Sequence, residues 1–225
     1  MKFSRARPLL QLGFLAGILV PALSPILHAA TETVQAHPNI LFILTDDMGT
    51  QLGTHGDIRA TTPRIDQLAT EGVRFDRAYA AAPLCTPSRG ALLTGVTPHA
   101  NGQWGFVAQT ELHPQIVTAP EMMRKSGYFT GLLGKKHVRA ADNQLEFDVK
   151  RLFLGSLRNS PHALGRAVAA FLREAEDRPF FLVVSIRAPH TPYPGDDGVP
   201  AWRKPHDPDA IPVPATALDT PRFRL

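Results

Sequence analysis

Three uninterrupted apolar runs limit what this chain can fold into: Asn39–Thr45, Tyr128–Leu133 and Phe180–Ile186. Each is the length of a strand, and none alternates with polar residues as a half-exposed strand would. Such runs suit strands buried on both faces of a parallel sheet. Helical segments separate them. Thr62–Ala69 opens with an N-cap candidate and a proline at the first helical position, and Gly72 ends it. Thr118–Ser126 is closed by Gly127, and Pro161–Ala175 sets Leu164, Val168, Phe171 and Leu172 at helical spacing. Val73–Ala80 reads as a further strand. The alternation predicts an α/β fold with a mostly parallel sheet flanked by helices.

Each apolar run leads directly into charged or imidazole residues. The first stops at Asp46-Asp47, the second at Gly134-Lys135-Lys136-His137, the third at Arg187-Ala188-Pro189-His190. In open parallel sheets ligands bind beyond the carboxyl ends of the strands. Asp46, Asp47, Lys135, His137 and His190 are therefore expected on one edge. Asp46 and Asp47 supply hard oxygen donors for Ca²⁺ or Mg²⁺, the alternative being an Asx-turn or cap. Two carboxylates do not complete a calcium sphere of six to eight oxygens, so other ligands are required. Lys135 and His137 read either as an anion-binding pair or as a solvated basic patch. Imidazole suits His190 for proton transfer, although a lone loop histidine is unremarkable.

The chain has one cysteine, Cys85. In an exported protein it has no internal disulfide partner, so it is either a buried core thiol or a functional group. Pro87 suits a first helical turn that Ser88–Leu93 continues, which places Cys85 at a helix N-terminus, where free N–H groups and the dipole favour anions. Arg89 lies one turn on and can face Cys85, or form a surface ion pair.

Export is expected from the first thirty residues. Lys2, Arg5 and Arg7 precede an apolar stretch, Leu9–Leu27, that ends in Leu27-His28-Ala29-Ala30. Pro21 and Pro25 interrupt it and no basic stop-transfer cluster follows, so residues 1–30 read as a signal peptide rather than an anchor. Cys85 lies too far downstream to anchor a lipid at that junction. The whole chain carries 24 Lys+Arg and 20 Asp+Glu. Without residues 1–30 the balance is 21 − 20 = +1, which gives no electrostatic footprint for nucleic acid. No N-x-Ser/Thr sequon is present, which fits a periplasmic or extracellular bacterial setting. Nine prolines fall between Ala188 and Pro221, so residues 188–225 read as a Pro-rich loop region.

Cys85-Thr86-Pro87-Ser88-Arg89 followed by Leu92-Leu93-Thr94-Gly95 resembles the signature of the type I sulfatases. Gly134-Lys135-Lys136-His137 resembles that family's Gly-Lys-x-His segment, and Pro189-His190-Thr191-Pro192 its Pro-His-x-Pro segment. His99–Gly105, Phe147-Asp148 and Asp177–Leu182 look most like the sulfamidase-type N-sulfoglucosamine sulfohydrolases. The resemblance covers residues 37 to 221 and implies the alkaline-phosphatase-like sulfatase fold. It implies that Cys85 is oxidised to formylglycine (3-oxoalanine) by a maturation enzyme, and that Asp46, Asp47 and the residue at 85 bind Ca²⁺ or Mg²⁺. It further implies that a hydroxyl of the hydrated aldehyde attacks sulfur and that the second hydroxyl later expels sulfate. Arg89 and His137 would hold the hydrate, Lys135 would grip a sulfate oxygen, and His190 would contact sulfate and protonate the leaving group. Ser88 and His99 read as structural or recognition residues. The implied substrates are sulfated carbohydrates or aryl sulfates, with no nucleic acid and no stable membrane anchor. Residues 31–225 are expected to be the N-terminal part of such a catalytic domain, incomplete toward the C-terminus. Two alternatives are a phosphonate or phosphate ester hydrolase of the same superfamily and a truncated, inactive relative.

Overall fold

A computed structural model describes residues 37–153 and 160–190. The expected signal segment, residues 1–30, and most of the expected Pro-rich loop, residues 188–225, lie outside the described residues. Four strands, β1 (Ile40–Asp46), β2 (Phe129–Gly134), β3 (Val149–Leu152) and β4 (Phe180–Pro189), form one sheet in the order β1-β4-β2-β3. Every neighbouring pair is parallel, with Ile40 opposite Phe181 and Phe129 opposite Phe180. Among the described residues five α-helices accompany them: α1 (Pro63–Glu71), α2 (Cys85–Thr94), α3 (Pro98–Asn101), α4 (Ala119–Lys125) and α5 (Pro161–Ala175). Among the described residues no helix is long and apolar enough to cross a membrane.

The apolar runs fill both faces of the sheet because successive strand residues point to opposite sides. Leu132, Phe181 and Val183 pack on one face with Leu93, Leu112, Val138 and Phe147. Leu133, Leu182 and Val184 pack on the other against Ala167, Phe171 and Ala175 of α5. Phe171 is fully buried; it stacks on Phe129 at 5.1 Å and meets Phe180 edge-on at 5.9 Å. Gly131 leaves the room, since a Cβ there would lie 2.4 Å from the Phe171 ring. Helix α5 starts as its sequence dictates: Pro161 occupies the first turn and Ser160 Oγ accepts from the Ala163 amide at 3.2 Å.

Three expectations are corrected. Val73–Ala80 is not a strand: it pairs with nothing in the sheet, and Val73, Phe75 and Tyr79 are exposed. Arg74 instead bonds Asp76 and the Thr54 carbonyl, local contacts that hold the segment as surface loop. Strand β1 is not covered on both faces, because it stands at the sheet edge beyond the reach of α5, and Leu41 and Ile43 remain over half exposed. Thr62 precedes α1 but makes no capping bond; its hydroxyl accepts from the Gly53 amide and donates to Asp66. Strand β3 has no counterpart in the apolar pattern, since its four residues include Lys150 and Arg151 and alternate in exposure.

Candidate active site

Asp46 ends β1 and is almost completely buried. A carboxylate in that position requires partners. Arg89 Nη2 donates to its Oδ1 at 3.0 Å, and the Lys135 ammonium bonds its Oδ2. Burial opposes the ionised form of Asp46, but the hydrogen bonds and charges of Lys135 and Arg89 outweigh it and hold the carboxyl below its ordinary value. Arg89 also donates to Ser185 Oγ at 2.7 Å and to the Lys135 carbonyl at 3.3 Å. One guanidinium on α2 thereby ties together the C-terminal ends of β1, β2 and β4.

That arrangement depends on how each strand ends. The chain leaves β2 through Gly134 at φ 104°, where a Cβ would lie 2.0 Å from the Ser185 carbonyl oxygen. Only glycine allows this approach, which lets the Lys135 amide donate to Ser185 O at 3.1 Å and fixes Lys135 over the edge. Two residues on, His137 adopts φ 48°, and its Nδ1 is buried without a hydrogen-bond partner. Burial, then the charges of Lys135 and Arg89, push the His137 pKa below the usual histidine value, while Asp46 pulls the other way. The ring is thus neutral near neutral pH and can serve as donor or acceptor. Lys136, desolvated and near Lys150, is also lowered.

Between Thr45 and Asp46 the β1–β4 register slips, and Asp47 follows at φ 57° with its side chain exposed. Asp47 Oδ2 lies 3.9 Å from Nε2 of His190, just beyond the end of β4. Asp46, Asp47 and His190 bring donor atoms within 4.8 Å of one another. Cys85, expected as the third member of the metal set, does not join this cluster. It is the first residue of α2 and half-buried, as the helix reading required, four residues before the arginine that bonds Asp46.

Asp46, Asp47, Arg89, Lys135, His137 and His190 thus meet at the sheet edge, and Arg89 ties to that edge the helix that Cys85 begins. Arg89 is no surface pair: it is buried and turned onto Asp46. The sequence reading passed over Ser185 and Arg187. Ser185 could have been found, as the only hydroxyl inside the third apolar run. His99 is exposed and Ser88 half-buried, and neither contacts the cluster through a described bond.

The family model for sulfatases matches residues 38–210. The chain belongs to the sulfatase family. Among its curated relatives, human N-sulphoglucosamine sulphohydrolase is 33% identical over 159 residues, covering 68% of this chain and 32% of the relative. Human N-acetylgalactosamine-6-sulfatase is 41% identical over 113 residues, covering 45% and 22%. A solved structure, BT4656 in complex with D-glucosamine-2-N,6-O-disulfate, superposes with a TM-score of 0.61 at 27% identity, over 69% of this chain and 35% of that one. This sulfatase-family chain therefore spans between about a fifth and a third of the length of these curated relatives.

Proposed function

We propose that this chain is part of an exported hydrolase of sulfuric esters or sulfamates, with sulfated sugars as substrates. The observation that carries the reading is the convergence of Arg89, Lys135, His137 and His190 around the Asp46–Asp47 pair beside the N-terminus of the Cys85 helix. Cationic and imidazole donors around a carboxylate pair suit a tetrahedral anion held against a hard cation. The donor set fits Ca²⁺ or Mg²⁺, with Asp46 and Asp47 as ligands. When bound, such an ion supplies Lewis-acid charge, and formylglycine at position 85 supplies the nucleophile.

The chain's own residues do the rest. Arg89 holds Asp46 ionised and fixes α2 against the sheet. Lys135, whose ammonium bonds Asp46 here, can also take a sulfate oxygen. His137, neutral and with an unpaired buried nitrogen, can hydrogen-bond the group at position 85, and His190 can give a proton to the departing oxygen or nitrogen. Residues 1–30 are read as the signal peptide and residues 31–225 as catalytic-domain sequence, with 188–225 a Pro-rich loop. N-terminal sequencing of the exported protein checks the first boundary.

The decisive experiment is co-expression of the full chain with a formylglycine-generating enzyme. Mass spectrometry of the peptide containing residue 85 should show loss of the thiol. An aryl sulfate and a sulfamate should be hydrolysed by the matured chain and not by Cys85→Ala. Faster turnover of a phosphonate monoester would replace this reading with the phosphonate hydrolase alternative. A matured chain that binds sulfated sugar without turnover would leave the inactive-relative reading.

A further inference from the structure

We propose that Thr86 and Gln103 bind one internal water molecule, and that this water positions the first turn of α2, which residue 85 begins. Both side chains are fully buried. Thr86 Oγ1 and both amide atoms of Gln103 have no hydrogen-bond partner among the described residues. Buried polar atoms left unmet are costly and rare, and these three lie against one stretch of one helix. Thr86 and Gly90 are four positions apart and share a face of α2. The Gln103 amide lies against Gly90, where a Cβ would stand 2.8 Å from Oε1. Gln103 is itself held in place. Its backbone amide donates to Asn101 Oδ1 at 2.8 Å, and Asn101 Nδ2 donates to the Val96 carbonyl at 3.0 Å, just past the end of α2.

Cβ positions four apart on a helix are separated by about 5–6 Å. That is too far for one hydrogen bond and close to the roughly 4.6 Å that two bonds of about 2.8 Å span through a water oxygen. A hydroxyl can donate and a carboxamide oxygen can only accept. The water therefore accepts from Thr86 Oγ1 and donates to Gln103 Oε1, with the Gln103 NH₂ group beside it. A buried water takes two to four such partners. It links the turn that residue 85 begins to the segment that Asn101 anchors at the far end of α2. Thr86 and Gln103 are thus positioning residues. The water site rests on burial and packing alone. That the turn it steadies presents a nucleophile rests on the hydrolase reading above.

The test uses the full chain in chelator, with unchanged amide signals of Leu182 and Val183 showing that each variant is folded. Oxygen-17 relaxation dispersion of the solvent counts long-lived water oxygens and does not see hydroxyl protons. Thr86→Val and Gln103→Met should each lose the amplitude of one water, and Thr86→Ser, which keeps the hydroxyl, should retain it. The Ser88 amide, which donates to the Leu84 carbonyl at 3.1 Å, reports on the turn. Its hydrogen exchange should accelerate about tenfold more than that of Leu182 in Thr86→Val and Gln103→Met, since a local bond is lost. Thr86→Ser should keep the wild-type rate. Each of the two disruptive changes should lower the urea midpoint, and the double variant should lower it by less than their sum. Equal dispersion amplitudes in wild type and Thr86→Val, a higher urea midpoint in Gln103→Met, or strictly additive midpoints would each overturn the water site. Unchanged Ser88 exchange in both variants would overturn its positioning role. None of these readouts is turnover, so a matured chain without hydrolysis would overturn the hydrolase reading and leave the water site standing.

Discussion

Replacing Arg89 by Met removes a guanidinium from the middle of the site while keeping most of its aliphatic length. Asp46 loses the 3.0 Å bond to its Oδ1 and Ser185 loses its 2.7 Å donor, yet Asp46 stays buried. Breaking a buried ion pair from one side costs about 3–5 kcal/mol, because the surviving charge remains away from water. Lys135 still bonds Asp46, so the lower end applies, about 3 kcal/mol, or roughly a hundredfold in the folding equilibrium. With a urea slope of about 2 kcal/mol per molar, the unfolding midpoint should fall by about 1.5 M. The assay is equilibrium urea unfolding followed by circular dichroism, in chelator so that no divalent ion enters. Asp46→Asn combined with Arg89→Met should lie nearer the wild type than the sum of the two single changes, since no uncompensated charge is left. A midpoint shift under about 0.3 M, the scale of an exposed pair, would refute the reasoning. Arg89 would then not be what ties α2 to the sheet edge.

Gly134→Ala should destabilise the fold by about 3 kcal/mol or more, because its Cβ meets the Ser185 carbonyl at 2.0 Å and its φ is 104°; thermal unfolding measures it, and a neutral result would refute the close approach. Phe171→Ala should cost about 3–5 kcal/mol in urea, since the ring is fully buried between Phe129 and Phe180. Asp46 has a lowered pKa, so its stabilisation is complete above its unfolded-state value and is lost as pH falls through the lower folded value. The difference in urea midpoint between wild type and Asp46→Asn should therefore shrink as pH falls below about 4. A gap that widens on acidification would contradict that sign.

Much of the fold was legible because local rules and tertiary structure agreed. Leu132 and Leu133 point to opposite faces of β2 and both are buried, so an unbroken apolar run announced a strand covered on both sides. The helical spacing of Leu164, Val168, Phe171 and Leu172 announced α5, and the structure adds that Ser160 caps it and Pro161 fixes its first φ. Strand β3 was invisible because Val149 and Leu152 are too few, and too mixed with Lys150 and Arg151, to make a pattern. Val73–Ala80 failed for the opposite reason. Its composition tolerates a strand, but among the described residues it pairs with none, and Arg74 ties it to Asp76 and Thr54 instead.

By itself the sequence determined which chemical groups end β1, β2 and β4, that they share one sheet edge, and that Cys85 heads a helix. Each follows from spacing along the chain, over a few residues. The tertiary structure alone decided how those groups are paired. Arg89 lies 43 positions from Asp46 and 96 from Ser185, and only the strand order β1-β4-β2 brings the three together. It also brought His190 to the edge that holds Asp47, 143 positions away in the sequence, with Nε2 3.9 Å from Oδ2. Burial supplies the reason: a carboxylate removed from water must find its cations wherever the fold delivers them.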